Sequence, residues 1–281
     1  MDKNTIKDLS KKAYEGRLLG LSAIFQCQSG HIGGAFSVID ILTVLYFHQM
    51  KVNPEKPDEE NRDRLVVSKG HCTGALYPVL AMKGYFPVER LKTFRNIESS
   101  VSGDVEMKHI PGVDMSAGSL GQGLSAAVGM ALAAKADKKD YYVYAIMGDG
   151  EIQEGQIWEA AMAAAKYKLN HLIGFVDVNG LQLDGTTEEV MPLLDLKAKW
   201  EAFGWAVIEI DGNNIEQIID GLNKAFNIKD KPIMILAYTI KGKGVSFMEN
   251  NVSWHGRTPD KEEYKIAVKE LEDKIKELGC E

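Results

Sequence analysis

The sequence predicts an α/β protein, a doubly wound and mostly parallel sheet with helices on both faces. Three observations carry that prediction. Short apolar runs rich in Val, Ile and Tyr alternate with segments of helical periodicity. Each apolar run is bounded by Gly, Asp, Asn or Pro, the residues that end strands. The helical segments between them have the length of crossovers that cover a parallel sheet. No internal repeat is present, and the 281 residues read as one domain over 1–281, ample for a substantial core.

The chain opens on MDKNTIKDLSKKAYEG, where charged and apolar residues alternate without an uninterrupted apolar core. That is not the form of a signal peptide, so a cytoplasmic location is expected. The longest apolar stretch, 38–50, carries Asp40, Thr43, His48 and Gln49. It falls short of the roughly 20 residues of a membrane span and reads as a buried helix. At least five strands are predicted, over 65–68, 142–147, 172–178, 206–210 and 233–240. Helices are predicted between them over 124–135, 156–167, 193–203 and 215–226. The last stretch alternates Lys and Glu with Tyr264, Ile266, Val268, Leu271, Ile275 and Leu278 at helical spacing. It predicts an amphipathic helix over 260–279 that packs on the domain or on a partner.

Composition narrows the function. The chain is 45% hydrophobic and 26% charged, ordinary for a compact enzyme. Its net charge is -7, from 33 basic and 40 acidic residues, and no dense basic cluster is present. Nucleic acid and anionic membrane are therefore not expected as partners. Cys27, Cys72 and Cys280 are odd in number and widely spaced, which fits neither a disulfide framework nor a zinc site. Reduced structural thiols are expected.

In doubly wound sheets, ligands sit at the carboxyl ends of the strands, so the loops that directly follow strands are where chemistry is sought. Gly148-Asp149-Gly150 follows one predicted strand. Its glycines let a ligand approach the backbone, and Asp149 offers a hard oxygen. Asp177-Val178-Asn179-Gly180-Leu181 ends the next strand and adds an amide oxygen and a backbone carbonyl. Taken singly, both are common turn sequences. On adjacent parallel strands they would form a magnesium site of the kind that anchors a diphosphate, with the remaining oxygens coming from the ligand.

Residues 148–159, GDGEIQEGQIWE, together with DVNGLQLDG at 177–185, resemble the thiamine diphosphate motif of transketolases. SGHIGG at 29–34, SKGH at 68–71, PGVDMSAGSLGQGLSAAVGMA at 111–131, and KGKG with WHG at 241–256 extend the resemblance over most of the chain in the family's order. The chain resembles the separate amino-terminal subunit of a split transketolase, a diphosphate domain of the thiamine diphosphate-binding fold. That resemblance implies thiamine diphosphate and magnesium as cofactors. It also implies reversible transfer of a two-carbon ketol unit from a ketose phosphate to an aldose phosphate. A partner C-terminal subunit, with the pyrimidine-binding and C-terminal domains, would supply the activating glutamate and much of the sugar-phosphate site. The expected assembly is a heterotetramer with two interfacial active sites.

By the same resemblance, Asp149 and Asn179 match magnesium ligands, and Leu181 matches the position that gives a backbone carbonyl. Gly118 and Leu120 match a loop along the cofactor. A dinucleotide site competes at GSLGQG, but its spacing is G-x-x-G-x-G and the preceding MSA is a poor strand. Gly150 and Glu154 match positions beside the cofactor and at the subunit interface, Glu154 within a carboxylate network coupling paired sites. Simple helix-dipole stabilisation is the alternative for Glu154. His31, His71 and His255 match catalytic histidines that touch diphosphate or substrate hydroxyls and shuttle protons, with His71 and His255 also binding cofactor. His48, His109 and His171 are expected to be structural.

Two departures stand out. Gly103-Asp104-Val105-Glu106 stands where many relatives read Gly-His-Pro-Asp, so Asp104 replaces a substrate-facing histidine and points to an unusual sugar. Lys241 stands where many full-length relatives are apolar, either as a solvated lysine or as a second charge near the diphosphate. Two other readings remain. One is a decarboxylating enzyme of the deoxyxylulose-phosphate synthase type, against which EIQEGQIWEA argues. The other is a non-catalytic regulatory protein, against which intact Asp149, Asn179 and His71 argue.

Overall fold

The structure is a computed structural model and describes residues 2–279, so Cys280 lies outside the described residues. Helix α1 (Lys3–Cys27) starts at Asp2, whose carboxylate accepts the Asn4 N–H at 3.3 Å, and stops at Gln28 with a left-handed φ of 50°. Helix α2 (Ile32–Val44) is buried at every position and continues into a π-helical turn, Leu45–Gln49. It starts six residues before the predicted 38, because the glycines after His31 are a packed helix start and not a loop. A Cβ on Gly33 would come within 2.9 Å of the Trp254 carbonyl oxygen. Ile32–Gln49 has the length and mean hydropathy, 1.3, of a membrane span, yet 83% of it is buried inside the protein.

The remaining elements are β1 (Arg64–Val67), α3 (Thr73–Lys83), α4 (Gly123–Ala136), β2 (Val143–Gly148), α5 (Gly155–Lys166), β3 (Leu172–Val178), α6 (Thr187–Val190), α7 (Leu196–Ala202), β4 (Ala206–Asp211), α8 (Ile215–Phe226), β5 (Ile233–Tyr238) and α9 (Lys261–Gly279). The predicted strands match within two residues. Helix α7 starts three residues later than predicted, because Leu194 takes a φ of 53° and Asp195 caps the Ala198 N–H at 2.8 Å.

The sheet order is β1-β2-β3-β5-β4 and every pairing is parallel. The chain steps across the sheet in one direction from β1 to β4, then turns back to place β5 between β3 and β4. Alternation within the strands sorts their side chains onto two faces. Val143, Ala145 and Met147 pack with α4, α5 and α7, whereas Tyr144 and Ile146 pack with α1, α2, α3 and α8. Central strands covered on both sides are the signature of a parallel sheet, and each fully buried aliphatic side chain contributes roughly 1.5–3 kcal/mol.

Helix α9 lies on α1. Its Ala267 and Leu271 are buried, and Tyr264 stacks on Phe25 with ring centroids 4.0 Å apart. This packing accounts for most of its apolar stripe, while Ile266 is exposed. Gly148 pairs with Asp177 in register, so the two predicted loops leave the sheet side by side, flanked by the ends of β1 and β5.

Candidate active site

The site is built around Asp177, a fully buried carboxylate at the end of β3. It accepts hydrogen bonds from Lys69 Nζ at 2.5 Å, Ser37 Oγ at 2.7 Å and Asn179 Nδ2 at 2.9 Å, and also from Thr239 Oγ1. One side chain thus ties the turn after β1, helix α2, the end of β3 and the end of β5. Burial opposes its ionisation, but Lys69 and the hydroxyl donors outweigh burial and hold the carboxyl below its ordinary range. Burial likewise opposes the charge on Lys69, and Asp177 outweighs it, so the ammonium stays protonated.

A second buried carboxylate, Glu151, fixes the loop before α4. It accepts from Ser68 Oγ, from the Gly121 N–H at 2.9 Å and from the Gly148 N–H at 3.0 Å. Gly70 lets that loop lie against the β1 turn, since a Cβ there would sit 2.3 Å from the Ala117 carbonyl oxygen. No strand precedes the loop and α4 begins only at Gly123, which removes the dinucleotide reading.

Asp149 follows β2 directly and is 2% exposed. The Gly150 and Gly180 N–H groups donate to its two oxygens at 2.8 and 2.6 Å. Even so, burial and then the Asp177 charge push its carboxyl up to about 6. Asn179 Oδ1 accepts the Leu181 N–H at 3.1 Å, and the Leu181 carbonyl accepts Lys241 Nζ at 2.9 Å. Lys241 is 2% exposed, so it is not a solvated lysine. Burial and then the Lys69 charge lower it to about 8, and its Nζ also lies 2.9 Å from His255 Nδ1. Lys241 leaves β5 at a point set by a third network. The Ile240 N–H donates to Asn213 Oδ1 at 2.8 Å, and Asn213 Nδ2 donates to Asp40, which is paired with Arg17 at 2.5 Å.

This arrangement fits a hard divalent cation with a bound polyanion. Asp149, Asn179 and Leu181 could hold the cation through a carboxylate, an amide oxygen and a carbonyl, a set typical of magnesium. An ammonium already rests on one of those acceptors. Among the described residues no group of three or more His, Cys, Asp or Glu could hold a metal ion, and this donor set contains only one residue of those types. Lys69 and Lys241 line the same cavity and could meet phosphate oxygens there.

His31, His71 and His255 form a triangle with centroid separations of 5.0, 5.6 and 5.5 Å. Burial, then Lys69, lowers His71 to about 2; burial, then Lys241, lowers His255 to about 4. Burial, then Arg95, lowers His31 as well, and its Nδ1 is buried without a partner. Neutral imidazoles can donate from one nitrogen and accept at the other.

Around these groups lies a cavity of about 400 Å³ that brings together His31, His71, Gly118, Leu120, Asp149, Gly150, Asn179, Leu181 and His255. Glu154 does not reach it. The chain has left the cavity through the turn Glu151–Gln153, and Glu154 is the exposed N-cap residue of α5. His48 and His109 are exposed, and His171 stacks on Tyr142 at 4.5 Å beside the opposite ends of the strands. The sequence alone does not single out Lys69, Asp177 or Glu151. A carboxylate inside an apolar strand is the available signal for Asp177, because a buried charge needs partners.

The low histidine values fix a pH dependence. A ring whose folded value lies below the ordinary 6.5 contributes stability that is full above 6.5 and is lost as pH falls through the folded value. For His255 that window runs from 6.5 to about 4, and for His71 it extends to about 2. Asp149, raised to about 6, opposes this loss, while Lys69 and Lys241 face the rings and add to it. The Tm of the chain should fall between pH 7 and 5, and the fall should shrink in a His71→Asn/His255→Asn double variant. An equal fall in the variant would assign the pH dependence elsewhere.

A doubly wound parallel domain whose strand ends gather oxygen acceptors, two lysines and three neutral imidazoles is a domain suited to a diphosphate cofactor. Residues 9–274 match the model described as "Transketolase, thiamine diphosphate binding domain", and the chain belongs to that family. It is 48% identical over 265 residues, 94% of this chain and 96% of the relative, to a 6-deoxy-6-sulfo-D-fructose transketolase subunit of Clostridium sp. (strain MSTE9). It is 44% identical over 276 residues, 98% of each chain, to an apulose-4-phosphate transketolase subunit of Phocaeicola vulgatus. The crystal structure of transketolase from Campylobacter jejuni superposes with a TM-score of 0.90 at 34% identity, over 97% of this chain and 43% of that one. The chain therefore spans less than half of that full-length transketolase.

Proposed function

We propose that this chain is the amino-terminal subunit of a two-chain transketolase. It holds thiamine diphosphate with magnesium and, together with a C-terminal partner subunit, moves a two-carbon ketol unit from a ketose phosphate to an aldose phosphate. The observation that carries the reading is the in-register pairing of Gly148 with Asp177, which sets Asp149, Asn179 and the Leu181 carbonyl in one cavity beside Lys69 and Lys241. In this reading Asp149, Asn179 and Leu181 hold the metal, and the lysines with His71 and His255 hold phosphate oxygens. His31 and the other two rings, neutral at pH 7, pass protons to and from sugar oxygens. Bound there, thiamine diphosphate would supply the carbanion chemistry that breaks and remakes the carbon–carbon bond.

Relatives of the same length are named as transketolase subunits, which supports a separate partner chain. A heterotetramer with interfacial sites, in the cytoplasm, is the assembly this reading expects. The relatives' sugars, 6-deoxy-6-sulfo-D-fructose and apulose 4-phosphate, differ from one another, so the donor here is open to an unusual ketose.

The test is ketol transfer from xylulose 5-phosphate to ribose 5-phosphate with thiamine diphosphate and magnesium, for the chain alone and mixed with its C-terminal partner. Activity is expected only in the mixture. Turnover by the lone chain would overturn the two-chain reading. A mixture that binds cofactor and transfers nothing from any ketose phosphate would overturn the assigned reaction.

A further inference from the structure

We propose that Asn179 is a self-modifying residue. The fold prepares the Asn179–Gly180 junction to lose ammonia and become aspartate or isoaspartate, which gives the site a limited working life. The modification needs only residues of this chain and water. Its effect on cofactor binding rests on the reading of Asn179 as a metal ligand.

Asn179 is the only asparagine of the chain that is followed by glycine. Asparagine is a thermolabile residue, because the next backbone nitrogen can attack its side-chain carbonyl, and a following glycine leaves that nitrogen least shielded. Gly180 takes a φ of 74°, and nothing lies within 4 Å of the place a Cβ would occupy there. Asn179 Oδ1 accepts the N–H two residues on, an arrangement that curls the side chain back over the intervening peptide.

The hydrogen bonds at this junction are those the reaction asks for. The Gly180 N–H belongs to the nucleophile and donates to Asp149 Oδ2 at 2.6 Å, so a carboxylate is in place to take its proton. The Leu181 N–H donates to Asn179 Oδ1 at 3.1 Å, where negative charge develops as the nitrogen adds. Asn179 Nδ2 donates to Asp177 Oδ2 at 2.9 Å. A carboxylate only accepts and a backbone N–H only donates, so these contacts fix which end of the amide is oxygen. The same Asp177 oxygen accepts Lys69 Nζ at 2.5 Å, which sets an ammonium beside the nitrogen that departs. Asn179 and Asp149 both line the cavity of about 400 Å³, which gives water access to the product.

In the first step the bond from Gly180 N to Asn179 Cγ forms, the Cγ–Nδ2 bond breaks, and ammonia leaves with the proton that Gly180 gives up. The product is a cyclic imide. Water then opens it at either carbonyl, giving aspartate or isoaspartate, and each carries one new negative charge. That charge arises beside Asp149 and Asp177, and the isoaspartate also lengthens the main chain by a methylene between residues 179 and 180. Both products alter the oxygen acceptors that Asn179 and the Leu181 carbonyl present to the cavity.

The experiment holds the full chain at neutral pH over days and follows aspartate and isoaspartate at every asparagine by peptide mass spectrometry. It compares the folded chain, the chain unfolded in urea, and folded Asp149→Asn. Residue 179 is expected to convert at least about tenfold faster in the folded chain than in urea, and Asp149→Asn is expected to lose that advantage, since a positioned base contributes about 100-fold or more. Conversion no faster in the folded chain than in urea overturns the proposal, as does an unchanged rate in the variant. The aged chain is then mixed with its C-terminal partner, and the rise in Tm on adding magnesium and thiamine diphosphate is expected to shrink in step with conversion. Conversion without that loss leaves the modification standing and removes Asn179 from the metal ligands.

Discussion

Asp177→Asn is expected to destabilise the chain by roughly 3–5 kcal/mol, the range for removing one partner of a buried ion pair. The variant leaves Lys69, with 3% of its side chain exposed, without its carboxylate. The new amide also turns one acceptor into a donor: Ser37, Asn179 and Lys69 donate to one oxygen and Thr239 to the other, so either placement of the amide nitrogen meets a donor. For a chain of this size the Tm should fall by roughly 10 °C. Lys69→Met should be similarly harmful, because it leaves Asp177 charged and buried beside Asp149. The double variant should cost much less than the sum of the two, since the charges are then removed together. Urea unfolding of all four proteins closes the cycle. A single-variant cost below about 1 kcal/mol, or strict additivity, would remove Asp177 from the centre of the site.

How far the sequence reveals this site depends on whether the signal is local. The βαβ unit from β2 to β3 is legible because its strands are apolar, bounded by Gly and Asp, and paired in register. That unit alone places Asp149, Asn179 and Leu181 together. The Asp177–Lys69 pair spans 108 positions, and no periodicity connects them. Helix α3 escapes a sequence reading because Pro78 lies inside it, where a breaker is expected. Lys241 reads as a surface charge because its burial comes from α2, from Trp254 and from His255, all brought to it only by the closed fold. Glu154 shows how a short turn redirects a side chain. It sits four residues from Gly150 in sequence, but an intervening turn carries it out of the cavity. Where position is set by contacts far along the chain, residue types predict a need for partners without identifying them.

Asp149→Asn should separate cofactor binding from folding. The wild-type carboxylate is held in a place that disfavours its charge, with its value raised from 3.8 to about 6 by burial and by Asp177. A raised carboxyl favours the fold at low pH and loses that advantage as pH rises through about 6. At pH 7 nearly the full cost is present, on the order of 3 kcal/mol. The amide removes that charge and loses about one hydrogen bond, because the Gly150 and Gly180 N–H groups then meet one acceptor and one donor. The cofactor-free Tm should therefore hold or rise. Binding should respond in the opposite direction. A ligand present at about 100 times its Kd stabilises the folded state by about 2.7 kcal/mol, so the wild-type complex should gain several degrees of Tm with magnesium and thiamine diphosphate together. The variant should gain almost none and should lose transfer activity by at least about 1000-fold, since the metal loses its charged ligand. The ammonium of Lys241 would stay on the Leu181 carbonyl. A variant that keeps the cofactor-induced gain in Tm would place the metal elsewhere. One that loses Tm without cofactor would make Asp149 a structural residue. The expected pattern, a fold left intact and binding lost, is that of a residue held in an unfavourable state by the fold for the ligand it is to meet.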